Sequence, residues 1–390
     1  MQRYGLFIVS ALGLAACGDN FDVGRSACER VSGHACTWAG VPGVVGFNGD
    51  GHHRLATELY WSMDMLFADD GTVWFIDWNN HLVRRVLADD TVETLVGWID
   101  PVFPGDGVPG GAERTPAGVL GIDVQLNHPT DLARGEGDKV LIMAWHNHKL
   151  REVDPATRNV RILAGSGAGF GGDGGPYTMA TFKQPKGLER DAQGNLYILD
   201  QQNFRVRRID AATGVITTIA GSGMPGFEGD GGPALDAKLG FEANSNPEPS
   251  GGLAIAGDTL YIADSLNHRI RAVDLASGTI TTVVGSGEAG YSGDGGAATS
   301  ATLKHPRDLE FGPDGDLYIA DTDNNVIRAV NLTSGTIRTV AGTGELGLDE
   351  TDGLLATETK LARPFSIDFS PAGNLFISDT INSRILEVTR

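Results

Sequence analysis

The chain has 390 residues, of which 41% are hydrophobic and 55 are glycine. Glycine at this level without a Gly-X-Y period indicates many tight turns, which excludes a collagen-like chain and a disordered one. The formal net charge of −20 repels phosphate groups, so we expect neither nucleic acid nor an anionic lipid surface as a partner.

The N-terminal stretch MQRYGLFIVSALGLAAC has the pattern of an export signal. Arg3 precedes an apolar run that is too short to span a bilayer, and small residues stand before Cys17. LAAC resembles the lipobox of bacterial lipoproteins, which implies a signal peptide over 1–16 and lipid attachment at Cys17. An ordinary signal peptide with a cysteine nearby is the alternative. Residues 17–33 are polar and aperiodic, and we predict that they form a flexible tether.

Cys28 and Cys36 are the other two cysteines of the chain. In an exported protein such a pair favours a disulfide over reactive thiols. Their separation permits this bond without proving it, so free thiols stay open.

A repeated unit fills the rest of the chain. One copy reads PRDLEFGPDG from Pro306, DLYIADTDNNVIRAV from Asp316 and TSGTIRTVAGTG from Thr333. Short runs rich in Ile, Val, Leu, Tyr and Thr between Gly, Asp and Asn turns are typical of antiparallel strands, here four in each unit. An asparagine marks each unit at intervals of 56 to 67 residues: Asn80, Asn147, Asn203, Asn267, Asn324 and Asn382. Six such units predict an all-β fold, a six-bladed β-propeller of four-stranded antiparallel blades over 34–390.

The last unit lacks its fourth strand, because the chain stops at Arg390 after NSRILEVTR. HACTWAG from His34 matches the fourth-strand stretch VITTIAG from Val215. We therefore predict that about residues 34–39 complete the sixth blade, since an open blade would leave strand hydrogen-bonding groups unpaired.

These segments resemble the NHL repeat, named for its Asn-His-Leu letters. ADSLNHRIRAVD from Ala263, WNNHLVRR and WHNHKLRE carry the resemblance, which covers about residues 35–390. The chain is most similar to exported bacterial NHL proteins with GDGG corners and to the propeller of teneurins. The resemblance implies the fold and leaves the function open, because propellers serve as binders, scaffolds and enzymes.

The residues that recur in nearly every unit are predicted to be structural. Aspartates end the second strand of five units, where each can accept backbone N–H bonds: Asp77, Asp200, Asp264, Asp321 and Asp379. A functional ring of carboxylates is the alternative. The same structural role is expected for the six marker asparagines. The GDGG corners lack the lysine of a P-loop and the alternating acids of an EF-hand, so we interpret them as chain reversals between blades.

Histidines occupy the middle letter of three repeats, at His81, His148 and His268. They lie in different blades, too far apart to share a zinc ion. His146 with His148, and the pair His52–His53, are weaker metal candidates. We favour a turn or core role for all of them.

Acidic residues that differ between units are the better candidates for function. Six of them fall at the innermost strands and are predicted to surround one mouth of the channel: Asp64, Asp131, Glu189, Asp308, Glu310 and Asp368. We favour a solvated acidic mouth without a cation, and nothing in the sequence demands a cofactor. Six-bladed enzymes of the gluconolactonase and peptidyl-amidating lyase types, which this chain resembles, hold metal in the channel, so a bound cation, with Ca²⁺ as the candidate, is the alternative.

Together these features predict a monomeric lipoprotein of the bacterial cell envelope, facing the periplasm or the cell exterior. Its propeller would present a rigid surface to a protein or glycan, and only the lipid anchor would touch the membrane. Two alternatives remain: a metal-dependent lyase or lactonase that uses the acidic mouth, and a purely structural envelope component.

Overall fold

The computed structural model describes residues 28–98, 111–244 and 248–390. The predicted signal peptide, Cys17 and most of the predicted tether lie outside the described residues. No helix in the described ranges is long and apolar enough to cross a membrane.

The described chain forms six antiparallel sheets arranged as the blades of a propeller, which confirms the predicted fold. The first strand, β1 (His34–Ala39), belongs to the last blade. Blade 1 holds β2 (Ser62–Phe67), β3 (Val73–Asp77), β4 (Leu82–Val86) and β5 (Val92–Val96). Blade 2 holds β6 (Val119–Leu120), β7 (Pro129–Arg134), β8 (Val140–Ala144), β9 (Lys149–Asp154) and β10 (Asn159–Ala164).

The remaining blades repeat this pattern. Blade 3 holds β11 (Pro185–Arg190), β12 (Leu196–Asp200), β13 (Arg205–Ile209) and β14 (Ile216–Ala220). Blade 4 holds β15 (Leu253–Ala256), β16 (Thr259–Asp264), β17 (Arg269–Asp274) and β18 (Thr279–Val284). Blade 5 holds β19 (Pro306–Phe311), β20 (Leu317–Asp321), β21 (Val326–Asn331) and β22 (Thr336–Ala341). Blade 6 holds β23 (Leu354–Leu355), β24 (Pro364–Phe369), β25 (Leu375–Asp379) and β26 (Arg384–Val388), with β1 between β23 and β26.

The helices are short 3-10 turns. Four follow the second strand of a blade: Trp78–Asn80, Gln201–Asn203, Ser265–Asn267 and Thr322–Asn324. The others lie in the connections between blades: Arg54–Ala56, Gly111–Arg114, Gly121–Asp123, Tyr177–Met179, Ala234–Asp236, Ala298–Ser300 and Ala356–Glu358.

The innermost strands surround the channel and close the ring. Each of β2, β7, β11, β15, β19 and β24 contacts the inner strands of both neighbouring blades. The second strands β3, β8, β20 and β25 are buried along their whole length, because blades pack against them from both sides. The hydrophobic core is therefore divided into clusters that lie between adjacent blades, and burial of this apolar surface holds the ring together.

The N-terminal strand completes blade 6, as predicted. β1 pairs antiparallel with β26, and Cys36 faces Glu387 in the register. Trp38 packs edge-on against Phe376 of blade 6, with ring centroids 5.4 Å apart, and belongs to a cluster that also includes Phe67 of blade 1. The first and last strands of the described chain, β1 and β26, thus share one blade and its packing.

The glycine-rich corners carry the chain between blades and cover an exposed edge. In the corner before blade 4, the Gly231 N–H donates to the Ile280 carbonyl of the outer strand β18 at 2.8 Å, and Ile280 N–H donates to Gly232 at 3.0 Å. Gly229 has φ +91°, and a Cβ there would lie 2.8 Å from the Ala237 Cα. Glycine is required because the backbone both reverses and passes close to itself. Each such corner blunts a strand edge that would otherwise invite pairing with another chain.

Candidate functional site

The aspartates that end the second strands are buried partners of buried arginines. Asp264 and Arg271 are both fully buried, with a guanidinium nitrogen 3.3 Å from the carboxylate. A second nitrogen of Arg271 lies 2.7 Å from Asp230 of the GDGG corner. The same Asp–Arg–Asp arrangement, with nitrogen–oxygen distances of 2.5 to 3.5 Å, recurs in five blades around Arg84, Arg207, Arg271, Arg328 and Arg384. These aspartates lie in five separate blade interiors and are not gathered in one site.

Blade 2 departs from this pattern. Ala144 stands where the other blades have the aspartate, and the buried Arg151 pairs with Glu113 instead. Glu113 lies in the insertion that lengthens this unit, so the insertion supplies the counter-charge that the strand lacks.

The marker asparagines tie the aspartates to the corners. The Asn267 amide donates to Asp264 at 2.8 Å and to the Gly226 carbonyl at 2.7 Å. Equivalent bonds from asparagine to aspartate and to a corner carbonyl are made by Asn80, Asn203, Asn324 and Asn382. Asn147 accepts from the Asn127 N–H at 2.9 Å.

The repeat histidines connect neighbouring blades. Nδ1 of His81 accepts from the His128 N–H at 3.0 Å, and Nδ1 of His148 accepts from the Gln184 N–H at 3.0 Å. Nδ1 of His268 accepts from the His305 N–H at 3.3 Å. Each donor precedes the inner strand of the next blade and has a positive φ near 50°. The imidazole thus holds a residue whose backbone conformation is strained. This contact accounts for the histidine of the Asn-His-Leu repeat without a bound metal.

The six predicted channel acids line a single cavity. It has a volume of about 360 Å³ and is bounded by the later residues of the inner strands, with Arg134 and Arg190 among its lining residues. Its carboxyl groups come from five of the six blades: Asp64, Asp131, Glu189, Asp308, Glu310 and Asp368. We call this cavity the acidic mouth.

Three of these acids brace adjacent blades. Asp64 accepts from the Leu132 N–H at 2.7 Å, and Asp308 accepts from the Ile367 N–H at 3.0 Å. Asp131 accepts from the Leu188 N–H at 3.3 Å. In each case the donor lies on the inner strand of the next blade, so these carboxylates have a structural task at the mouth.

The other three acids lie near the ends of their inner strands and line the same cavity. Glu189 accepts a 3.1 Å bond from its neighbour Arg190. Asp368 accepts a 2.6 Å bond from its neighbour Phe369 and a further bond from the Phe67 N–H of blade 1. Glu310 lies two residues beyond Asp308 on β19. We regard Glu189, Glu310 and Asp368 as the candidate ligand-binding acids.

Burial and mutual repulsion raise the pKa values of these carboxyls. Burial, foremost, raises the pKa of Glu189 and that of Asp368 to about 8, and repulsion by nearby acids adds to the effect. Burial and repulsion by Asp308 raise the pKa of Asp64 to about 7. The pKa values of Asp131 and Glu310 are raised well above their ordinary range for the same reasons. In the folded protein these carboxyls therefore keep protons at pH values where exposed carboxyls have released them.

Sequence reasoning missed Lys186, the basic residue beneath the acids. Its side chain is buried, and Nζ donates to the Arg307 carbonyl at 3.0 Å across the channel. Its positive charge lowers the pKa values of Asp64, Asp131 and Asp308. Lys186 directly precedes Gly187 on an inner strand, and this position in the repeat is the one sequence feature that could have placed it beside the channel.

Replacing Glu189 by Gln and Asp368 by Asn together should stabilise the protein at alkaline pH. Their ordinary pKa values are 4.5 and 3.8, so between these values and about 8 the folded state holds protons that the unfolded chain has released. Stability therefore falls as pH rises through this window, and the amides remove that loss. We expect the melting temperature to rise by about 2–5 °C near pH 9 and to change little near pH 4. Glu136→Gln, an exposed acid on a nearby turn, is the control; a loss of stability at about pH 9 would contradict the prediction.

Within the described ranges, no group of three or more His, Cys, Asp or Glu side chains is placed to hold a metal ion. The candidate Ca²⁺ site at the mouth therefore stays a hypothesis. Cys28 and Cys36 are joined as a disulfide, with Cα atoms 5.8 Å apart.

The fold and its repeat contacts define a six-bladed β-propeller. No family model matches the chain. Its curated relatives include NHL proteins: it is 26% identical over 281 residues to NHL repeat-containing protein 2 of Homo sapiens, covering 67% of this chain and 37% of that one. It is 27% identical over 280 residues to Protein SUPPRESSOR OF QUENCHING 1, chloroplastic, of Arabidopsis thaliana, covering 69% of this chain and 24% of that one. It is 23% identical over 375 residues to Teneurin-1 of Caenorhabditis elegans, covering 85% of this chain and 12% of that one. The matches span less than half the length of these relatives.

Solved bacterial structures share the fold. A Bacteroides thetaiotaomicron protein of unknown function aligns with a TM-score of 0.64 at 18% identity, covering 91% of this chain and 75% of that one. An auxiliary nutrient binding protein from Bacteroides ovatus aligns with a TM-score of 0.62 at 16% identity, covering 91% and 76%. At 16–18% sequence identity, these similarities show a shared fold and nothing about function.

Proposed function

We propose that the chain is a lipoprotein of the bacterial cell envelope whose propeller is a rigid binding module for a protein or glycan. The acidic mouth would receive a positively charged group of that ligand, an amine of a lysine-rich segment or of an amino sugar. The observation that carries the proposal is the gathering of six carboxyl groups around one cavity of about 360 Å³.

The electrostatics of the mouth support a cationic ligand group. Burial disfavours the ionised form of Glu189 and Asp368, and each ionised acid also repels the others. An amine entering the cavity would offset both effects by pairing with the carboxylates. The net charge of −20 on the chain also attracts a cationic ligand from a distance.

The rigidity of the ring supports a binding role. The inner strands that carry the acids contact one another around the whole channel, and β1 locks the last blade. Carboxylates on such strands are held in place before a ligand arrives, which limits the entropy lost on binding. The Bacteroides ovatus neighbour is described as a nutrient-binding protein, so this architecture is compatible with ligand capture.

The ligand test uses matched pairs of probes in isothermal titration. Oligomers of glucosamine are compared with their N-acetylated forms, and a lysine-rich peptide with its acetylated form. We expect a charged probe to bind and its acetylated partner to fail, since acetylation removes the positive charge. Glu310→Gln with Asp368→Asn should weaken binding by about tenfold or more, and Glu136→Gln should leave it unchanged. Equal binding of charged and acetylated probes would exclude the acidic mouth as the recognition site.

Calcium is the competing ligand in the same experiment. If Asp131 and Asp308 share a cation, Ca²⁺ should raise the melting temperature of the wild type, because it binds only the folded state. Changing both residues to Asn should abolish that rise. A calcium effect of this kind, with no binding of amine probes, would favour the metal-dependent lyase or lactonase.

Lipidation is tested separately at Cys17. We expect Cys17→Ser to release the protein from the membrane fraction of an expressing bacterium, because the cysteine is the predicted acyl acceptor. The circular dichroism spectrum of the released protein should match that of the wild type, since Cys17 precedes the propeller. A Cys17→Ser protein that stays membrane-bound would refute the lipid anchor while leaving the ligand proposal intact.

A further inference from the structure

Two imidazole nitrogens and one amide oxygen lie close together at the start of β7, the inner strand of blade 2. This end of β7 is the one away from the acidic mouth. Nδ1 of His128 lies 3.0 Å from Nδ1 of His146 and 2.7 Å from Oδ1 of Asn127. Nδ1 of His146 lies 3.3 Å from the same Asn127 oxygen. The three atoms form a nearly equilateral triangle, which we call the histidine triangle.

The surrounding structure orients both imidazoles. His128 has φ +52°, and its N–H donates to His81, so its backbone is fixed by blade 1. The His146 ring stacks on Trp145, with centroids 4.0 Å apart and planes at 19°. The His128 ring packs against Trp78, 4.5 Å away. Rings held in this way lose little freedom when they bind a ligand.

The size of the triangle fits a metal ion. Imidazole nitrogens and oxygens bind zinc at about 2.0–2.2 Å, and the ligands of a tetrahedral ion are then about 3.3–3.6 Å apart. The three separations, 2.7, 3.0 and 3.3 Å, lie at or below this range, so small rotations of the side chains would admit the ion. One metal ion above the triangle could thus contact all three atoms and keep further positions open.

We propose that His128, His146 and Asn127 bind a divalent transition-metal ion, of the kind that prefers imidazole, such as Zn²⁺. Two imidazoles and one amide oxygen form a neutral donor set, which suits Zn²⁺, Ni²⁺ or Cu²⁺ better than Ca²⁺ or Mg²⁺. All three residues are partly exposed, so an ion can reach them. The site is separate from the acidic mouth, whose lining begins at Asp131 on the same strand.

The test adds Zn²⁺ to protein that carries no histidine tag and measures the bound metal and the melting temperature. We expect one zinc per chain and a higher melting temperature in the wild type. His146→Gln should weaken zinc binding by about tenfold or more. Asn127→Asp should strengthen it, because a carboxylate completes a two-histidine, one-carboxylate set.

Two controls separate this site from others. His53→Gln removes an exposed loop histidine and should leave zinc binding unchanged, as should Asp131→Asn with Asp308→Asn. No zinc binding by the wild type, or equal binding by His146→Gln, would overturn the proposal. Zinc binding lost only in the aspartate variant would assign the metal to the acidic mouth instead.

Discussion

Deleting residues 18–42 is expected to unfold or aggregate the protein, whereas deleting 18–33 should leave it folded. The longer deletion removes β1, which exposes the edge of β26 and removes Trp38 from its contact with Phe376. Loss of a buried tryptophan side chain alone typically destabilises a protein by about 3–5 kcal/mol. The unpaired strand adds a site for intermolecular pairing.

Thermal unfolding and size-exclusion chromatography check this result. Both deletions remove Cys28, so Cys36→Ser is introduced into the shorter variant to avoid a free thiol that the longer one lacks. Equal melting temperatures for the two deletions would show that β1 does not close the ring.

Asp264→Ala should destabilise the propeller by about 3–5 kcal/mol, because it leaves the buried Arg271 without its buried counter-ion. Asp230→Ala removes the other acidic partner of Arg271. The Asp230 side chain is 36% exposed, so water can replace its carboxylate and the loss of stability should be smaller. Urea denaturation at neutral pH measures both losses.

A third variant distinguishes the uncompensated charge from simple loss of packing. Adding Arg271→Met to Asp264→Ala removes the charge, so it should recover part of the lost stability. Two results would contradict this explanation: equally small losses of stability in Asp264→Ala and Asp230→Ala, or a double variant that is the least stable of all. Either would show that Asp264 does not stabilise the protein through its ion pair with Arg271.

The sequence predicted the ring and its closure because both follow from a period. Six copies of one unit define six blades, and the missing strand after Arg390 matches the surplus strand at His34. The role of Arg271 was not predicted, although an arginine stands four residues after the marker asparagine in the first five units. Its two acidic partners are separated from it along the chain by a corner and a turn, and only the folded path shows that all three meet.

The candidate site was predictable in position and less so in detail. Alignment of the units placed Glu189 and Glu310 beside the channel, because equivalent residues of a ring occupy equivalent places. It could not separate the acids that brace blades, such as Asp64, from those that face the cavity. Lys186 and the histidine triangle occur in one blade each, so no repeat signal marks them.

The pairing of the first strand with the last in blade 6 has a consequence for how the propeller would be attached to a membrane. Cys28 is bonded to Cys36 in β1, so the described chain begins at the outer side of that blade. An acyl chain on Cys17 would therefore be joined to the perimeter of the disc and not to either end of the channel. Large molecules could then approach the channel from both directions.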